Sequence, residues 1–172
     1  MRTFLVIVTT LGLILPELLI GNLGLALHLP LYGALYFAVA YRKSAGLLSA
    51  AAAGLILDPI YCRDAMLLAF ILPGTVLLLL PQVRRLRRKL PLAALLPGML
   101  GGGVMAAADS LLCLGFGSAE PGPDFISMLI FQCGAGGIFM LAFTLAADAL
   151  AFKCNLPRFG VAGERRNREE RL

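Results

Sequence analysis

The sequence contains no tryptophan, one histidine and four cysteines among its 172 residues. Because it has no Cys-x-x-Cys pair and a single imidazole, we expect no zinc site and no other metal or cofactor. Any aromatic residues at a membrane interface must be tyrosine or phenylalanine. Cys62 and Cys113 could form a disulfide, although two unpaired thiols are the favoured interpretation.

Charge is also scarce, since 15% of the residues are charged and 59% are hydrophobic. A water-soluble chain of this length needs a larger polar surface. The charges are clustered between long apolar segments, as in integral membrane proteins. The net charge of +5 therefore indicates membrane topology and attraction to anionic lipids rather than nucleic-acid binding.

Six apolar segments predict an all-α integral membrane protein with six transmembrane helices. The first segment lacks a signal-peptide cleavage site, and Pro16-Glu17 interrupts it, so we expect it to be retained. The predicted helices are Thr3–Ile20, Leu31–Tyr41, Ser44–Leu57, Ala65–Val83, Leu90–Gly115 and Phe125–Phe152. They form one transmembrane domain, residues 1–152, and residues 153–172 form a basic cytoplasmic tail.

The distribution of basic residues predicts the orientation. With the N-terminus inside, 14 of the 15 basic residues lie on the cytoplasmic side and Arg63 alone lies outside. The inner clusters are Arg2, the pair Arg42-Lys43, the segment 84–89 and the tail. The positive-inside rule therefore favours cytoplasmic N and C termini and an even number of spans.

Small residues recur every fourth position in two predicted helices, which places them on one helical face. Such a face allows close approach of another helix in lipid. The favoured interpretation is packing within this chain, and the alternative is docking of a partner's helix. The residues are Gly46, Ala50 and Gly54 in the third helix, and Gly98, Gly102, Ala106 and Ser110 in the fifth.

Four acidic residues, Glu17, Asp58, Asp109 and Asp148, lie in or at the ends of apolar segments. The first three fall in the outer half and Asp148 lies near the inner end of the sixth helix. We expect no basic residue within the spans to neutralise them. They can be buried groups and interfacial caps, the lining of an outward-facing ligand pocket, or contacts to a partner's helix, and the first interpretation is favoured.

Catalytic patterns are weak, so we expect a protein that is not an enzyme. His28 stands alone near the outer interface, and a serine nucleophile would require Ser110 or Ser118 to reach it. A Gly-x-Ser-x-Gly motif is absent from the sequence. An acid dyad of Asp58 and Asp109 is a disfavoured alternative.

A short apolar helix, Leu31–Tyr41, is followed by Arg42-Lys43 and by a helix that runs through Gly46 to Gly54-Leu55-Ile56-Leu57-Asp58. A further apolar helix, Ala65–Leu80, and a basic loop, Arg84–Lys89, come next. In this order of elements, the stretch from Pro30 to Leu80 resembles the rod shape-determining protein MreD family. The chain departs from the family at Leu29-Pro30-Leu31, where members often have Arg-Pro-Asp, and in the segment 59–64, which is usually rich in small residues.

The resemblance implies a multi-pass protein of the bacterial inner (plasma) membrane that supports cell shape and sidewall peptidoglycan synthesis. Its partners would be an MreC-like membrane protein and the elongation complex of MreB, RodA and a class B penicillin-binding transpeptidase. The family is similar in fold to the substrate-binding S components of energy-coupling-factor transporters. A vitamin-binding transporter subunit is therefore the alternative function.

Overall fold

The computed structural model describes residues 2–21, 27–60, 67–86, 94–115 and 124–154, together with Leu156 and Phe159. The prediction of six helices is confirmed in these ranges. The predicted starts of the fourth helix at Ala65 and of the fifth at Leu90 lie outside the described residues. The helices are α1 Arg2–Gly21, α2 Leu29–Ala40, α3 Lys43–Ile60, α4 Leu68–Leu86, α5 Leu95–Gly115 and α6 Asp124–Lys153.

Within the described residues, three of the six helices are long and apolar enough to cross a membrane: α1, α3 and α6. The other three provide shorter apolar lengths, and α2 has 12 residues. At about 1.5 Å per residue α2 is roughly 18 Å long, which is less than the hydrocarbon thickness of a typical bilayer. The structure is therefore compatible with a helical membrane protein and identifies three candidate spans.

Helix α2 occupies the centre of the bundle. All twelve of its residues are buried, and it contacts each of the other five helices. Its sequence, from Leu29 to Ala40, contains no charged residue and no polar face. A helix that is apolar on all sides is stable when it is surrounded by other helices.

Successive helices run antiparallel, as their closest contacts show. The start of α3 at Gly46 packs on Ala38 near the end of α2, and Gly54 packs on Ala69 at the start of α4. One end of the bundle, called here the basic end, therefore holds the α2–α3 turn and the end of α6, with exposed Arg42, Lys43 and Lys153. The opposite end, called here the acidic end, holds the ends of α1, α3 and α5 and the starts of α2 and α4.

The small-residue stripes lie against other helices of the same chain. A Cβ atom at Gly54 would lie 2.5 Å from the backbone nitrogen of Ala69. A Cβ at Gly102 would meet the backbone carbonyl of Gln132, and one at Gly98 would meet that of Gly136. Ala50 and Ala106 are fully buried. The stripes thus provide the close α3–α4 and α5–α6 contacts.

The outer surface of the bundle is apolar. Phe4 is 71% exposed, and large apolar side chains are also exposed on α3, α4, α5 and α6. Water-soluble monomers rarely expose contiguous apolar surface of this extent, whereas lipid-facing helices do. Examples from the five helices other than α2 are Leu15, Leu48, Phe70, Leu111 and Ile138.

Candidate functional site

Glu17 fixes the start of the central helix. Its carboxylate is completely buried and accepts hydrogen bonds from the backbone N–H groups of His28, at 3.0 Å, and Leu29, at 2.9 Å. The first N–H groups of a helix have no partner within the helix and form its positive end. A carboxylate at this position accepts hydrogen bonds from these N–H groups, and the hydrogen bonds offset the cost of removing the carboxylate from water.

His28 joins this junction to α5. Its backbone has φ 54° and ψ 43°, the left-handed conformation that residues other than glycine rarely adopt. Its Nε2 atom lies 3.4 Å from Oδ2 of Asp109, and both side chains are largely buried. The imidazole of His28, which precedes α2 and lies outside the predicted spans, therefore faces Asp109 and attracts it when protonated.

Asp58 repeats the arrangement of Glu17 at the α3–α4 junction. It is completely buried and accepts hydrogen bonds from the backbone N–H groups of Leu68 and Ala69, both at 3.1 Å. The residue at the end of α3 thus caps the start of α4, as Glu17 at the end of α1 caps α2.

The two junctions also share a short sequence repeat, which was not recognised from the sequence alone. Residues 12–17 read Gly-Leu-Ile-Leu-Pro-Glu, and residues 54–59 read Gly-Leu-Ile-Leu-Asp-Pro. In both copies the acid binds backbone N–H groups 10 to 12 residues later in the chain. We call each α-helix pair with its acid a capped hairpin: α1–α2 with Glu17, and α3–α4 with Asp58.

Asp148 lies near the basic end. Its Oδ1 atom accepts hydrogen bonds from the Tyr36 hydroxyl, at 2.8 Å, and from the backbone N–H of Phe159, at 2.7 Å. The Phe159 ring is buried and stacks on Tyr36 with a centroid distance of 5.8 Å. Part of the predicted tail therefore packs on the bundle, and this contact was not apparent from the sequence.

The four predicted acids consequently form three separate groups. Glu17 and Asp109 meet at His28, Asp58 belongs to the neighbouring hairpin, and Asp148 lies at the other end. Both oxygens of Glu17 and of Asp58 bind backbone N–H groups, so these two acids position helices. His28 and Asp109 are the titratable pair that remains at the acidic end.

Other candidate groups add little chemistry to this end. The Ser110 hydroxyl donates to the carbonyl of Ala106 at 2.8 Å, within its own helix. Among the described residues there is no group of three or more His, Cys, Asp or Glu side chains that could hold a metal ion. Ser118 and Cys62 lie outside the described residues, and with Cys62 the possible Cys62–Cys113 pairing does too.

Comparisons with models of known protein families, with curated proteins and with solved structures find no match for the chain.

Proposed function

We propose that the protein is a six-span, non-enzymatic subunit of the bacterial cell-elongation complex, with both termini in the cytoplasm. In this role it would support sidewall peptidoglycan synthesis as a membrane scaffold. The observation that carries the proposal is the use of Glu17 and Asp58: both buried carboxylates hold helix starts, as expected in a rigid platform.

The apolar perimeter supports the location in the membrane. Exposed leucine, isoleucine and phenylalanine side chains occur around the bundle, and in a bilayer they would contact lipid or a partner's transmembrane helix. The central position of the short α2 allows it to be surrounded by protein rather than lipid, so its length need not match the bilayer.

The gathering of basic residues at one end supports the orientation. Arg42, Lys43 and Lys153 are exposed at the basic end, and by the positive-inside rule this end faces the cytoplasm. The acidic end, with Glu17, Asp58 and Asp109, would then face outward.

A transporter S component is the second candidate. The contact between His28 and Asp109 favours it, since two titratable side chains meet at the outward end of the bundle. We rank it second because Glu17 and Asp58, which a pocket would require as polar lining, direct their oxygens at the backbone.

Depletion in a rod-shaped host tests the first proposal. We expect cells to become round when the chain is depleted, and a tagged chain to co-purify with an MreC-like protein in mild detergent. The G12A variant is a suitable control for the rescue, because a Cβ at the exposed Gly12 would have no atom within 4 Å. Cells that remain rods after complete depletion would contradict the scaffold role.

Cells that carry the same tagged chain can also distinguish the transporter role from the scaffold role. A transporter subunit would retain a vitamin-sized ligand through purification, detectable by mass spectrometry, and H28A or D109N would reduce uptake without changing cell shape. Reporter fusions at the C-terminus and within residues 22–26 would test the orientation independently.

A further inference from the structure

The contact of Phe159 with the bundle suggests a second role for the basic end. Phe159 lies eleven residues after Asp148 in the chain, yet its backbone N–H returns to the Asp148 carboxylate at 2.7 Å. The residue is 5% exposed, and its ring stacks on Tyr36. An aromatic side chain that could point into lipid or water is instead inserted between α2 and α6.

Two side chains contact Phe159, and we call the position that they define the Tyr36 slot: the Tyr36 ring stacks on the Phe159 ring, and the Asp148 carboxylate accepts the Phe159 backbone N–H. The rings of Tyr36 and Phe143 meet edge to face at a centroid distance of 5.8 Å. The Tyr36 hydroxyl is fixed on Asp148 at 2.8 Å. The slot therefore offers an aromatic surface for a ring and a carboxylate for the N–H group of the same residue.

The occupant can leave without disruption of a helix. Leu156 and Phe159 belong to no helix, and the chain leaves α6 through a turn in which the Leu156 N–H binds the Ala151 carbonyl at 2.8 Å. Lys153 and Cys154, which lie within this turn, are exposed. Release of Phe159 would thus expose the slot while α2 and α6 keep their own backbone hydrogen bonds.

We propose that the Tyr36 slot is a binding site for an aromatic side chain of an acidic cytoplasmic protein segment, and that Phe159 occupies it in the absence of this partner. Access of such a segment rests on the proposed function, which places the basic end in the cytoplasm. Phe159 acts as an internal competitor. The observed affinity for the partner is therefore the intrinsic affinity of the open slot multiplied by the fraction of molecules in which the slot is open.

The charge at the rim determines the kind of partner. Arg42 and Lys43 lie six and seven residues beyond Tyr36, and Lys153 lies five residues beyond Asp148; all three are exposed. Helix α2 ends at Ala40, roughly 6 Å beyond Tyr36 along its axis, and Arg42 and Lys43 follow this end; Lys153 lies roughly 7.5 Å beyond Asp148 along α6. An acidic segment would be attracted to this rim, while its aromatic ring replaced that of Phe159.

The test uses a fluorescent pentapeptide with one phenylalanine flanked on each side by two acidic residues, and the purified full-length protein in detergent. Fluorescence anisotropy should show that F159A binds this peptide at least about ten-fold more tightly than the wild type. The same peptide with alanine in the centre should bind neither protein specifically, and F152A, which changes an exposed phenylalanine of α6, should behave as the wild type. Equal affinities of F159A and wild type, or of the two peptides, would overturn the proposal.

A second measurement needs no variant. Trypsin cleavage after Arg158 breaks the peptide bond whose N–H is held by Asp148, so a closed slot protects this bond. A saturating amount of the phenylalanine peptide should accelerate this cleavage at least about five-fold, and the alanine peptide should not. An unchanged rate would overturn the proposal. Both experiments use isolated protein, so their failure is distinguishable from a failure of the cell-elongation role.

Discussion

The two capped hairpins use the same carboxylate arrangement but connect to the rest of the bundle in different ways. In α1–α2, Glu17 binds the start of α2, and His28 at that start extends the contact to Asp109 of α5. In α3–α4, Asp58 binds the start of α4, and Gly54 allows the two helices to approach closely at Ala69. A buried acid thus sets the position of a helix start, while the surrounding residues decide what that helix contacts next.

Replacement of Glu17 should have the largest effect on stability. E17A removes both acceptors from buried N–H groups at the start of the central helix, and we expect a loss of roughly 3–5 kcal/mol in the free energy of unfolding. Unfolding in mixed detergent micelles, followed by circular dichroism, would measure it. E17Q keeps one carbonyl acceptor and should lose about half as much. An E17A protein as stable as the wild type would show that the cap is unimportant.

Replacement of Asp58 should have the second-largest effect on stability. Both of its hydrogen bonds are 3.1 Å, slightly longer than those of Glu17, and the helix that it caps lies at the side of the bundle rather than in the centre. We expect D58A to lose roughly 2–4 kcal/mol in the same assay, with D58N as the matched variant. If D58A were clearly more damaging than E17A, the central position of α2 would not govern the cost.

The equivalent glycines of the two hairpins offer a sharper contrast. At Gly54 a Cβ would lie 2.5 Å from the backbone nitrogen and 2.6 Å from the Cα of Ala69, whereas at Gly12 nothing lies within 4 Å. G54A should therefore destabilise the protein by roughly 1–3 kcal/mol, because the α4 backbone must move. G12A should be neutral or stabilise α1 by up to about 1 kcal/mol, since alanine favours the helix. Similar effects of the two changes would contradict the close approach of α3 and α4.

The sequence predicted the six helices because each is an apolar run, three of them long and three shorter. It placed Glu17, Asp58 and Asp109 in one half of the molecule because helix lengths and turns fix depth. It could not predict the partners of these acids, which are backbone groups 10 to 12 residues away or belong to another helix. The lone His28 was a detectable signal: the only imidazole of a chain with several buried carboxylates is a natural partner for one of them. The return of Phe159 depends on tertiary packing alone, and no local pattern indicates it.

The smallest expected effect concerns His28, where two contributions oppose each other. H28G removes the contact with Asp109 but relieves the left-handed backbone, so we expect its stability to remain within about 1 kcal/mol of the wild type. H28A loses the same contact and keeps the backbone penalty, so it should be less stable than H28G by about 1 kcal/mol, the reverse of the order of the two residues in a helix interior. Combining each change with D109N would separate the backbone penalty from the contact with Asp109. In the D109N background the electrostatic contact is already lost, so any remaining difference between H28A and H28G comes from the backbone penalty. If alanine and glycine at position 28 were equally stable, the left-handed conformation would carry no cost, and the first hairpin would differ from the second through the contact with Asp109 alone.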